Sequence, residues 1–245
     1  MKLGPECRDG KKRKRGREEK GLEFHGISKD MAIQKKCAAR ERILQAAGEL
    51  FGKFGYDRTT LEGICRKMGK AKTSIYYYYD GKQALLKDIV GQEFAHLREQ
   101  LEPVMVVDEN LTSAKIRAYL KERIKLVLEM QVYPQFIVNQ YSEADDDARA
   151  AVRGIRAEFD RWEREKFFNV CCFGRQNGIL PEAVKPDAFA DMIQMLLKGI
   201  ESQMVISKNR ESDLATYEAM VDFLIRDCSK SHGTCAPNDK PSETK

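Results

Sequence analysis

Lys72, Thr73, Ser74, Tyr76 and Tyr77 crowd into the stretch KAKTSIYYYYDGKQALL, residues 70–86. Their side chains are equipped to grip rather than to catalyse. An ammonium and short hydroxyls contact phosphate oxygens, and an aromatic edge packs on a thymine methyl. The other parts of an active site do not stand near them in the sequence. His25, His96 and His232 lie far apart, and the chain contains no nucleophile with its base, no P-loop and no dinucleotide fingerprint. The three aspartates at 145–147 invite a metal, but a helix N-terminus that attracts negative charge accounts for them more simply. Seven cysteines, at 7, 37, 65, 171, 172, 228 and 235, show no CxxC spacing. They read as small buried thiols of a reducing compartment rather than as metal ligands or a disulfide framework. No enzyme, metal or cofactor is expected.

Such a gripping set must be held by something rigid, and the flanking residues supply it. Ile43, Leu44, Ala47, Leu50, Phe51 and Phe54 recur on one face of a helix that Gly55 ends. Thr59 or Thr60 then caps a second, short helix with Glu62 in its first turn and Leu61, Ile64 and Cys65 inward, stopping at Met68-Gly69. A third segment, Lys72 to Tyr79, follows a tight turn, and Asp80-Gly81 separates it from a strongly periodic helix beginning at Lys82. Two short helices across a glycine turn, braced by a longer one, make a helix-turn-helix. At about 100° per residue, Ile75 and Tyr79 share one side of the third helix with Tyr78 beside them. Lys72, Thr73, Tyr76 and Tyr77 take the opposite side, with Ser74 at the margin. The tyrosine run is thereby divided into two that anchor and two that face outward.

Charge agrees with a polyanion at this end of the chain. Residues 1–87 hold 22 Lys and Arg against 11 Asp and Glu, whereas 88–245 hold 21 against 27. Only the basic third is therefore expected to meet nucleic acid, with a membrane surface as the weaker alternative. Residues 1–30, with ten basic and six acidic residues and no sustained apolar period, read as a disordered leader. A basic arm of this kind could reach a minor groove, but an inert leader is the better reading, with Met31 an equally good start. The apolar runs are too short to span a bilayer and no signal-peptide core precedes them, so a cytoplasmic protein is expected.

The stretch ARERILQAAGELFGKFGYDRTTLEGICRKMGKAKTSIYYYYDGKQALLKDIV resembles the TetR (tetracycline-repressor-like) family of bacterial transcriptional regulators. The likeness covers roughly residues 38–90. It implies that Thr60 caps the second helix and touches a phosphate, and that Gly69 is the turn glycine. It further implies that Lys72, Thr73, Ser74, Tyr76 and Tyr77 line the recognition helix and that Lys82 grips a backbone phosphate. Two positions depart from the pattern. Lys70 replaces a small apolar residue and is expected to snorkel outward to add a phosphate contact. Ala71 replaces a serine cap, a loss of about 1 kcal/mol at that helix start.

Beyond residue 90 only helical periodicity speaks, with helices expected near 82–101, 111–131, 134–142, 146–177, 186–207 and 211–230, and Pro134, Pro181 and Pro186 suiting helix starts. The expectation is an all-α protein of four parts: the leader 1–30, a helix-turn-helix domain 31–86, a helical effector-binding and dimerisation domain 87–230, and a flexible tail 231–245. The resemblance implies that the last two helices build a four-helix dimer interface and that the central helices surround an effector. Tyr119, Leu128, Tyr133, Phe136, Phe159, Trp162 and Phe168 are the candidate lining, each of them separately more ordinary as core. An apolar or aromatic ligand is the mild preference, and the charged Arg123, Glu129 and Arg156 are too dispersed to choose among. The expected function is a repressor of palindromic sites released by a small molecule. The alternative is a helix-turn-helix protein with no small-molecule effector, which a dry, filled core would favour.

Overall fold

The computed structural model describes residues 15–109, 111–138, 146–178 and 180–225, with side chains from residue 34 onward except that of Leu224. All the regular elements among these residues are helices: α1 (Arg15–Phe54), α2 (Leu61–Met68), α3 (Thr73–Tyr76), α4 (Lys82–Leu101), α5 (Ser113–Glu129), α6 (Tyr133–Val138), α7 (Asp146–Gln176), α8 (Pro186–Ile206) and α9 (Arg210–Leu224). None is long and apolar enough to cross a membrane. The expected tail 231–245 and residues 1–14 of the expected leader lie outside the described residues, as do His25, His232, Cys7, Cys228, Cys235 and Asp145 as side chains. Helix α1 begins at Arg15, inside the stretch whose composition led to an expectation of disorder. Once a helix is nucleated, each further residue adds one backbone bond at little cost, so α1 can extend past its packed part.

Helices α1 to α3 pack on the first turns of α4. Ile43, Leu44, Ala47 and Phe51 of α1 are buried against Ile64, Cys65, Ile75, Leu85 and Leu86. Phe54, grouped with that face in the sequence, instead sits at the helix end half exposed, with the Lys53 ammonium over its ring. The turns explain the short elements. Gly55 takes φ 86° and donates to the Phe51 carbonyl, which ends α1. Thr59 is buried and its hydroxyl donates to the Gly55 carbonyl at 2.8 Å, while Thr60 caps α2 by accepting from the Gly63 amide at 3.1 Å. The two threonines thus divide the work that the sequence left open between them. Gly69 adopts φ 62° in a Schellman end, with its own amide on the Arg66 carbonyl and that of Lys70 on the Cys65 carbonyl. Open space surrounds the position where a Cβ would project, so glycine is required there by conformation and not by room.

Helix α4 runs on through residue 86, where the sequence placed a domain boundary, into the second bundle. There α7 packs along α8 and α4, α5 joins α4, α8 and α9, and the short α6 lies against α7 and α8. Thr112 caps α5 by accepting from the Lys115 amide, Pro134 is the second residue of α6, and Pro186 opens α8. Pro181 starts no helix; it sits in the turn before α8, where its carbonyl accepts from the Val184 amide. Asp146 and Asp147 occupy the first turn of α7, where the helix dipole favours them, and no group of ligating side chains that could hold a metal occurs among the described residues.

Candidate nucleic-acid interface and central cavity

The reading face is built on a very short helix, so its rigidity must come from outside it. Ile75 is fully buried and Tyr79 nearly so, while Tyr76 is 49% and Tyr77 71% exposed. Burying Ile75 alone contributes about 1.5–3 kcal/mol toward seating the helix. Tyr79 adds a polar lock. Its hydroxyl donates to Asp88 of α4 at 2.6 Å and accepts from Arg40 of α1 at 2.9 Å, and Arg40 also reaches Asp88 at 2.7 Å. Burial, and then the bond to Asp88, push the Tyr79 phenol up to about 12, so it stays a neutral donor under ordinary conditions. Arg40 and Asp88 were not singled out in the sequence. They sit on surface-facing positions of two separate helices, and only the fold brings them to Tyr79.

On the outward side Lys70, Ala71, Lys72, Thr73, Tyr76 and Tyr77 are exposed and Ser74 is half-buried. Lys72 is paired with Glu62 and lies 5.8 Å from the Tyr76 ring centre, and the Lys36 ammonium of α1 stands 5.7 Å from that of Tyr77. The Tyr77 ring is set edge-on to Tyr78, 4.9 Å between centres. These aromatic faces are thereby oriented before any ligand arrives. Helix α3 has Lys72 at its N-cap with no side-chain cap bond, one residue beyond the Ala71 at which the sequence placed the cap. Lys82, expected to grip a phosphate, contacts the protein itself at the head of α4. Its ammonium donates to the Tyr56 carbonyl at 3.0 Å and lies 4.0 Å over the Tyr56 ring, holding the α1–α2 turn to the head of α4.

The residues proposed around an effector are dispersed. Tyr119, Phe159 and Tyr133 are buried, and Leu128, Phe136, Trp162 and Phe168 pack partly buried around the same core. Tyr133 and Phe136 line a cavity of about 440 Å³ between α6, α7 and α8. Trp162 lines a separate one of about 480 Å³ beside Pro103 and Lys166. Leu128, Tyr119, Phe159 and Phe168 line neither. The dispersed charges of the sequence prove to be contiguous. Arg123, wholly buried, bonds Glu163 at 3.0 Å and Glu201; Glu201 also takes Arg156 and the Tyr133 hydroxyl, the latter at 2.8 Å; Tyr119 donates to Glu163 at 3.0 Å. Glu129, by contrast, is exposed and faces a different cleft. Burial works against the Glu201 carboxylate, but Arg123 and Arg156 outweigh it and hold that carboxyl down at about 2. The network ties α5, α6, α7 and α8 together, and it was hidden from the sequence because its members come from four helices.

A buried-core three-helix unit with a short, outward-facing reading helix, carried on a separate helical bundle, defines a helix-turn-helix DNA-binding protein of the all-α class. Residues 43–89 match the family described as bacterial regulatory proteins, tetR family. The helix-turn-helix unit is thus similar to the DNA-binding domain of that family over these residues. It is 35% identical over 99 residues to the HTH-type transcriptional regulator RutR of Escherichia coli strain K12, spanning 40% of this chain and 44% of that relative. The match therefore covers less than half the relative's length. The biofilm operon icaADBC HTH-type negative transcriptional regulator IcaR of Staphylococcus aureus strain Newman is 25% identical over 147 residues, 54% of this chain and 77% of that one. Among solved structures, the SmeT–triclosan complex superposes with a TM-score of 0.60 at 21% identity, covering 85% of this chain and 99% of that one, a likeness of fold.

Proposed function

We propose that this chain is a cytoplasmic, sequence-specific transcriptional regulator, a homodimeric repressor released from a palindromic operator by a small molecule. The observation that carries the reading is the divided tyrosine run: Ile75 and Tyr79 locked inward, Tyr76 and Tyr77 presented outward beside Lys70, Lys72 and Thr73. Such a surface has the parts to enter a major groove, with the amines and hydroxyls on phosphates and the phenol edges on bases. Thr60, which caps α2, adds a contact to the DNA backbone in this reading. IcaR, a negative regulator by name, lends the repressor reading its support.

Dimerisation is supported by an apolar stripe with no cover in the single chain. Met192, Met195, Leu196 and Ile206 of α8 and Met220 and Phe223 of α9 are exposed together. A two-fold dimer through this stripe sets two α3 helices about one DNA turn apart, roughly 34–36 Å or a multiple, and calls for an inverted repeat. The cavity between α6, α7 and α8 is the site we assign to the effector, and a cavity there speaks against the filled core that an effector-free regulator would have. Triclosan in SmeT is a precedent for a small molecule bound to this fold. Selection of random duplex DNA on the full-length chain at physiological salt tests the proposal. Enrichment of an inverted repeat is expected; folded protein that enriches no sequence would sink it.

A further inference from the structure

The wall of the α6–α7–α8 cavity is of two kinds. Phe136, Ile137, Val152 and Ala157 make it apolar, while Arg149, Arg153, Arg156 and Lys198 bring four cations to it. Arg149, Val152, Arg153 and Arg156 recur at helical spacing, so one stripe of α7 supplies both the aliphatic and the cationic surface. The two acids of the wall are already engaged. Asp160 accepts from Arg156 at 2.6 Å and pairs with Lys198 at 2.7 Å, and Glu201 serves Arg123, Arg156 and Tyr133. The cations are not saturated in return. Arg156 keeps a buried Nη2 with no hydrogen-bond partner. Arg153 forms no ion pair among the described residues, and the ion pair of Arg149 is with Asp146, which is 91% exposed and so held weakly.

We infer that this cavity takes an amphipathic carboxylate: a single planar oxyanion at the Arg149, Arg153 and Arg156 end, and an apolar body against Phe136, Ile137 and Val152. Guanidiniums match a carboxylate edge to edge, and the low exposure of Arg149 and Arg156 makes such bonds stronger than at an open surface. The inference rests on the reading of this cavity as the effector site, and it narrows the expected apolar or aromatic ligand to one that carries a carboxylate. It also supplies a difference between two states. A carboxylate that draws on Arg156 competes with Glu201 and loosens the hold of both on Tyr133 at the start of α6.

The test is titration calorimetry of the purified full-length chain with three probes of one chain length: decanoate, methyl decanoate and decylamine. Decanoate is expected to bind at least tenfold more tightly than the ester or the amine. The double variant Arg149→Gln, Arg153→Gln should lose that preference while retaining the parent's melting temperature and its residual ester binding. Equal or tighter binding of the ester or amine, no decanoate binding at millimolar concentration, or an unchanged preference in the double variant would each overturn the inference. The same probes added to the chain on its selected DNA separate the two readings. Decanoate bound without release of DNA upholds the carboxylate site and sinks the effector role. Release by the amine or ester in preference to decanoate overturns the carboxylate assignment and upholds the effector role.

Discussion

Tyr77 and Lys70 are both exposed, yet their chemistry assigns them different work. A phenol edge discriminates among bases, whereas an ammonium senses only charge. Tyr77→Ala should therefore flatten the sequence preference, measured as the affinity ratio between the selected operator and a scrambled duplex. Lys70→Ala should weaken both duplexes alike and reduce the slope of log affinity against log salt by about one unit. Identical behaviour of the two variants would refute the assignment of the face. Lys82→Ala should behave unlike either, lowering the melting temperature as well, because its ammonium is tied to Tyr56.

The buried charges make a second prediction at the same scale. Glu201 has a folded-state pKa far below its ordinary 4.5, at about 2. The stability it contributes is then fully present above pH 4.5 and is lost as pH falls toward 2. Urea midpoints recorded across that window should fall for the parent, and fall less for Glu201→Gln, which is destabilised at neutral pH already. Arg123→Met leaves Glu163 and Glu201 buried with too little positive charge and should cost about 3–5 kcal/mol by chemical denaturation.

Among the elements, α6 is the one that touches both ends of the proposed mechanism. Toward the reading domain, Gln135 donates to the Gly52 carbonyl of α1 at 2.9 Å, and the Phe136 ring meets Tyr56 at 6.1 Å between centres. Toward the bundle, Tyr133 joins Glu201 and Arg156, and Phe136 and Ile137 line the cavity. The backbone entering α6 is held by Glu93 of α4, whose carboxylate accepts the amides of Gln131, Val132 and Tyr133 at 2.7–2.9 Å. Any ligand that moves α6 thus moves against α1 and α4 together. The double variant Gln135→Ala, Phe136→Ala should bind operator with near-parental affinity and release it only at about tenfold higher effector concentration, as read by fluorescence anisotropy. Parental release would remove α6 from the coupling.

For the whole molecule, the exposed stripe on α8 and α9 is where the proposed dimer is tested. Met195→Glu with Phe223→Glu places charges where an apolar partner surface would lie. The expected result by sedimentation is a folded monomer, with operator affinity reduced by at least a hundredfold because one reading head must then bind alone. A variant that stays dimeric would move the interface elsewhere.

What the sequence determined by itself is whatever depends on neighbours a few positions away. The helices beyond residue 90 begin within two residues of where periodicity put them, α4 spans the same Lys82–Leu101, and the expected ends at 142 and 230 lie outside the described residues. Gly55, Gly69 and Thr60 act at helix ends as their chemistry requires, and the inward and outward tyrosines separate as a 100° step dictates. Tertiary structure decided everything that joins residues far apart. It turned Lys82 inward to Tyr56, brought Arg40 and Asp88 to Tyr79, and gathered Arg123, Arg156, Glu163 and Glu201 from three helices into one buried network. It also put Arg149, Arg153 and Lys198 on the wall of one cavity and set Trp162 beside another. The physical reason is the range of the interactions. Caps and helical faces are set by bonds within one or two turns, whereas a charge or an aromatic ring has no partner until packing chooses one.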